Sequence, residues 1–301
     1  MSFQILLLDL RSTPMRILVY LLLAGLFLQS CKKDELTTVT GNKAPPDPTV
    51  ASVTVENYIT RTYILVLGRE PNDVELSSAK SQLVAADLDS SSRYQFLNQV
   101  FAKPEYLPHV YEQYRVDMLN NTDTTEFTNW ITIFQFFLLD STYQYLWPTL
   151  QFEIARLDSM RQAFNEFTHG TIPLSELHRR ICNNYIYDQI NMGSANFVLS
   201  TFQHLLNRNP TNAEQISGIS MVEGSNANLF LQSGNSKPDY LAILTGNNNY
   251  YEAQLVLLYQ RYLHRNPTTL EMDAGTLKYP LVNGVINVQE DILSTNEFIG
   301  L

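Results

Sequence analysis

Tyr259-Gln260-Arg261-Tyr262-Leu263-His264-Arg265-Asn266-Pro267-Thr268-Thr269-Leu270-Glu271 carries a frame that occurs twice more upstream. Aligned on the arginine, the first copy reads Tyr63, Leu67, Gly68, Arg69, Pro71, Asn72, Glu75 and the second Phe202, Leu206, Asn207, Arg208, Pro210, Thr211, Glu214. Recurrence at fixed internal spacing marks a repeated supersecondary unit. An aromatic residue and a leucine four positions later share one face of a helix. The next residue, Gly68, Asn207 or His264, is of a type that tolerates the positive φ found just past a helix C-terminus. A proline two residues after the arginine disfavours helical geometry before it and removes a donor. Asn72, Thr211 or Thr268 then stands three residues before a glutamate, the spacing of a capping box. Each copy therefore predicts a helix, a tight corner and a second helix.

Each unit closes on an acidic–aromatic pair, Glu105-Tyr106, Asp239-Tyr240 and Glu297-Phe298, which follow the corner arginine by 36, 31 and 32 residues. The corner arginine is expected to pair with this closing acid or with helix-end carbonyls, which suits the forked guanidinium better than a lysine. Arg69, Pro71, Glu75, Arg208, Pro210, Glu214, Arg265, Pro267 and Glu271 are accordingly read as corner architecture. A ligand site repeated three times is the competing reading.

The N-terminal segment 1–30 reads as a lipoprotein signal peptide. Met15-Arg16 makes a basic start, an alternative to Met1, and Ile17 to Leu28 an apolar stretch too short to span a bilayer. Leu28-Gln29-Ser30-Cys31 resembles a bacterial lipobox, with Cys31 the lipid-bearing residue. Lys32, Lys33, Asp34 and Glu35 are similar to the export signal of Bacteroidetes surface lipoproteins. That resemblance implies an outer-membrane lipoprotein facing the extracellular side, held by its N-terminal acyl chains. Two or more such chains hold firmly where one does not.

Residues 31–50, rich in Thr, Asn, Lys and Pro, read as a flexible tether. Residues 51–107 form the first helical repeat unit, 108–195 a central helical region without the frame, and 196–301 the second and third units. In the central region, Trp130 to Leu139 reads as a core helix or, alternatively, a partner-binding surface. A helix over about Leu150 to Phe167 is expected to turn Phe152, Ile154, Ala155, Leu157, Met160, Ala163, Phe164 and Phe167 inward, with Gly170 as its stop. Another is expected from Leu174 to Ile190. Cys182, on that helix, reads as a buried inert thiol. The Asn, Gly and Ser-rich loops around Gly224 to Asn228, Gly234 to Lys237 and Gly246 to Asn249 read as surface loops.

The formal net charge of −10 disfavours nucleic acid as a partner. The five histidines are scattered, the zinc-protease, haem-attachment, nucleophile-elbow and phosphate-loop motifs are absent, and no metal or cofactor is implied. Glu290-Asp291 reads as solvated charge. The whole frame, best seen in Leu67-Gly68-Arg69-Glu70-Pro71, resembles a helical domain of unknown function in secreted bacterial repeat proteins, itself similar to phycobilisome linker domains. That resemblance implies an adhesion, assembly or surface-layer role without catalytic residues.

The sequence thus predicts an all-α array of three helix-corner-helix units with a helical insertion between the first and second. The expected function is a non-catalytic interaction, assembly or polymer-capture module whose partner is an envelope protein or an extracellular polymer. The alternative is a glycan-processing or other hydrolase with carboxylates converging from distant helices.

Overall fold

The computed structural model describes residues 48–301. The expected signal peptide, Cys31, the segment Lys32, Lys33, Asp34 and Glu35, and the tether as far as residue 47 lie outside the described residues. The fold is all-α, with one two-stranded hairpin among the described residues. No helix among them is long and apolar enough to cross a membrane.

The first unit comprises α1 (Pro48–Leu67), α2 (Asp73–Ala85) and α3 (Ser90–Phe101). The central region supplies α4 (Tyr106–Met118), α5 (Thr124–Phe137), a 3₁₀ helix over Ser141–Leu146, α6 (Trp147–Thr168), α7 (Leu174–Cys182) and α8 (Tyr185–Ile190). The second unit is α9 (Ser194–Leu206), α10 (Asn212–Val222), a hairpin of β1 (Ala227–Leu229) and β2 (Gln232–Gly234), and α11 (Lys237–Thr245). The third is α12 (Asn248–Leu263), α13 (Thr269–Lys278), α14 (Gly284–Leu293) and α15 (Asn296–Ile299).

The apolar faces of these helices meet in one continuous core. Burial of this kind, rather than helix propensity, is what holds short helices in place. The first and third units dock directly. Tyr58 of α1 meets Phe96 of α3 and Phe298 of α15 edge-to-face at 5.4 and 6.0 Å between ring centroids. Arg61 donates to the Phe298 carbonyl at 2.8 Å and stacks on its ring, and Arg93 donates to the Ser294 carbonyl. Gln289 of α14 links the Tyr262 hydroxyl of α12 to the Tyr106 hydroxyl at the start of α4, at 2.7 and 2.8 Å.

Several expectations are corrected. Helix α1 begins at Pro48, inside the segment read as tether; a proline fits the first turn because its missing N–H would be unpaired there anyway. The single helix expected over Leu174 to Ile190 is two, α7 and α8. Asn184, fully buried, donates to the Arg180 and Ile181 carbonyls and accepts from the Tyr187 amide, ending one helix and starting the next. The segments read as loops around Gly224 to Asn228 and Gly234 to Lys237 hold part of a hairpin, paired Ala227 to Gly234 and Leu229 to Gln232, at the place where the first and third units have a helix. On α6, Phe152 and Ala155 face outward and Phe164 is partly exposed against the Tyr111 ring of α4, while Leu157, Met160 and Ala163 are buried. The Trp130 to Leu139 run divides likewise: Ile131 and Phe134 are buried, while Ile133, Phe136 and Leu139 are exposed. Glu290 is buried rather than solvated; α14 turns it inward, and burial raises its carboxyl above the usual range.

Candidate functional site

The corners are built from local chemistry. Gly68, Asn207 and His264 have φ of +73, +49 and +55°, ending their helices in the left-handed region. Asn72, Thr211 and Thr268 each cap the next helix, accepting from the amide of Glu75, Glu214 and Glu271, whose carboxylates reach back to the cap amide. The same glutamates meet the corner arginines through both oxygens: Arg69–Glu75 at 2.7 and 2.9 Å, Arg208–Glu214 at 2.8 and 2.6 Å, Arg265–Glu271 at 2.8 and 2.8 Å. Each guanidinium also lies over the aromatic residue that opens its frame, at 5.5 Å from Tyr63, 5.1 Å from Phe202 and 5.3 Å from Tyr259. A third donor goes to the carbonyl of the residue after the arginine at 3.0 Å in every copy.

The arginine–glutamate fork is the strongest charge-assisted geometry available to two side chains. Hydrogen bonding to the arginine, with cap amides added, holds Glu214 and Glu271 down to about 2 and Glu75 well below the usual carboxylate range. In the first and third corners all three guanidinium nitrogens are bonded within the unit, whereas at Arg208 only the two terminal nitrogens are.

The closing acids behave unequally. Arg69 binds Glu105 and Arg265 binds Glu297, both at 2.8 Å. The pairing expected between Arg208 and Asp239 is not formed; Asp239 instead accepts from the Asn235 amide at the start of α11. The hairpin in place of a third helix brings the acid in on a different path. A link that the frame did not reveal is shared by the later corners, where Gln203 donates to Asn209 and Gln260 to Asn266. Gln-to-Asn at a spacing of six was its only trace in the sequence.

Two surface clefts lie away from the corners. One, of about 540 Å³, runs past Tyr251 and Tyr279 and is walled by Ile172, Pro173, Leu281 and Val282. Its lining is mostly apolar, with Thr171, Ser175 and Asn283 among it. The other, of about 440 Å³, lies among α6, α7 and α11 and is lined by Phe152, Arg156, Arg179 and Arg180, with Glu176 its one carboxylate. Arg156 is only 7% exposed and is fixed by Glu153 at 2.5 Å, Asp188 at 2.7 Å and Asn183 at 3.2 Å. Arg180 is fixed by Glu166, Glu176 and the Ser159 carbonyl. Neither cleft brings two carboxylates together, the arrangement a glycosidase needs.

Buried titratable groups complete the picture. His178 Nδ1 is hydrogen-bonded to the Tyr250 hydroxyl at 2.9 Å, and the ring packs against Tyr114 and is held to about 3 chiefly by burial. Cys182 is buried, and burial pushes its thiol up, away from the reactive thiolate. Among the described residues no cluster of His, Cys, Asp or Glu could hold a metal ion. No family model, no curated protein and no solved structure matches this chain.

Proposed function

We propose that the protein is an outer-membrane lipoprotein, anchored through acyl chains on Cys31 and facing the cell exterior, that works as a non-catalytic interaction, assembly or polymer-capture module. The observation that carries the non-catalytic part is the use made of the most perturbed carboxylates. Glu75, Glu214 and Glu271 are each locked between an arginine and a cap amide, where they cannot act as proton donors near neutrality. The address rests on the sequence: the apolar stretch before Cys31 and the Lys32-Lys33-Asp34-Glu35 segment behind it.

The anchor is tested by metabolic labelling with a clickable palmitate analogue. The label is expected on the full chain and is expected to vanish in Cys31→Ala; a Cys31→Ala chain that keeps the label removes the anchor. The module reading is tested by cross-linking on intact cells followed by affinity capture, with an envelope protein or polysaccharide expected in the bound fraction. Turnover of a glycan by the purified chain would speak for the hydrolase reading.

A further inference from the structure

We propose that the cleft among α6, α7 and α11 is a binding site for an acidic polysaccharide, with Phe152 as the stacking platform and Arg179 as the residue that takes the ligand's anion. The inference rests on the polymer-capture reading above and gives it a place and a ligand class.

The charge distribution is the first argument. The chain has a net charge of −10, yet three of its 20 lysines and arginines line this one cleft against a single carboxylate, Glu176. A fourth, Lys237, stands behind it on Asp188 at 2.7 Å. Arg156 and Arg180 are paired with Glu153, Asp188, Glu166 and Glu176, which neutralise them, so they set the shape of the wall and not its charge. Arg179 differs. Its Nε and one terminal nitrogen both go to the same oxygen of Glu176, at 2.8 and 2.7 Å, and its other terminal nitrogen has no partner among the described residues. The side chain is 35% exposed at the cleft, held at one edge and open at the other. That is a guanidinium oriented in advance, with donors left for an incoming anion.

Surface chemistry is the second argument. Phe152 is 53% exposed, and the Arg156 guanidinium lies 5.1 Å from its ring centre. The arginine covers one ring face, and the half-exposed ring lines the cleft. Ala155 and Ala242, both exposed and both in the lining, put only methyl groups beside it. An open ring next to a flat apolar floor fits the C–H face of a pyranose, and the guanidinium, carboxylate and amide of Arg179, Glu176 and Asn183 fit its hydroxyls. The volume, about 440 Å³, lies within the range of small-ligand sites. An acidic peptide is disfavoured because the walls are three helices, whose backbone groups are already paired, so no strand edge is offered to an extended chain. A guanidinium takes a uronate carboxylate or a sulfate ester alike, so acidic sugar is the class assigned.

The test titrates the purified full-length lipoprotein in detergent with oligogalacturonate, with dextran sulfate of similar length, with neutral dextran and with poly-glutamate, by calorimetry at low and at high salt. Binding of oligogalacturonate, dextran sulfate or both is expected, weakening as salt rises, with the preferred polymer naming the anion. Phe152→Ala and Arg179→Gln, both at exposed side chains, are each expected to lower the affinity at least tenfold with an unchanged melting temperature. Equal binding of neutral dextran, preference for poly-glutamate, no binding at all, or binding untouched by both variants overturns the assignment. A protein partner recovered from the envelope with no polysaccharide binding overturns this inference and leaves the module reading standing, whereas failure of capture and titration together removes both.

Discussion

Gly68, Asn207 and His264 occupy one position in three corners, and only one of them is required to be glycine. All three have positive φ, but a Cβ on Gly68 would lie 2.5 Å from the His109 ring. Gly68→Ala combines left-handed strain with that clash and is expected to destabilise the fold by about 2 kcal/mol, read by denaturant unfolding. His264→Gly, where the strain alone is relieved, is expected to change stability by less than about 1 kcal/mol. The corner glutamates make a second residue-scale prediction. Their folded carboxyls titrate far below the unfolded value near 4.5, so the unfolded chain takes up the proton first. Their contribution is therefore complete above about pH 4.5 and is lost as the pH falls toward 2. Glu271→Gln is expected to flatten the fall in melting temperature over that window and to leave a smaller penalty at pH 7. An unchanged profile between pH 4.5 and 2 counts against the arginine fork as its cause.

At the scale of the element, the break between α7 and α8 depends on one side chain. Asn184 satisfies two helix-end carbonyls and one helix-start amide while fully buried. Leaving buried backbone groups unpaired costs about 1–3 kcal/mol apiece, less whatever relaxation recovers. Asn184→Ala is expected to destabilise by about 2–3 kcal/mol, with amide exchange quickening first in the Tyr185–Ile190 helix. Exchange that quickens first in the corners instead would show that the break is held by packing and not by the cap. The hairpin shows the same dependence on local chemistry, since its tip residues Phe230 and Leu231 both sit at positive φ and only the Phe230 ring finds a neighbour, Phe202.

Over the whole molecule, the docking of the first unit on the third joins distant parts of the chain, with Arg93 reaching Ser294 and Tyr94 reaching Asp291. The central region is tied in through His178 on Tyr250 and Tyr114 on Gln254. His178 faces a hydroxyl, an aromatic edge and, further off, His204; no acid faces it, and burial holds it neutral. Its folded value is depressed from 6.5 to about 3, so its contribution is present above pH 6.5 and is lost as the pH falls toward 3. Stability is expected to decline across that range with a slope of up to about 1.4 kcal/mol per pH unit from this one proton. His178→Phe is expected to reduce that slope even though it removes one of the two partners of the Tyr250 hydroxyl, Tyr279 being the other. A slope unaffected by the substitution would assign it to His109 and His204, whose values burial also lowers.

The corners were legible in the sequence because their parts are near neighbours. Positive-φ tolerance, proline placement and the cap-to-glutamate spacing act within a dozen residues, and any fold that contained the segment would use them. The arginine–glutamate fork lay within the same segment but went unread, because spacing does not say which way two side chains turn across a bend. What only the tertiary structure decided is which apolar and charged faces are covered. Phe134 is buried while Phe136 and Phe152 are not, and Arg156, Arg179 and Arg180 line one cleft, because α5, α6, α7 and α11 approach one another across tens of residues of chain; Glu290 turns inward where α14 packs on α3, α12 and α13. Burial is set by what arrives from elsewhere, and periodicity along one helix records the helix without naming its neighbour.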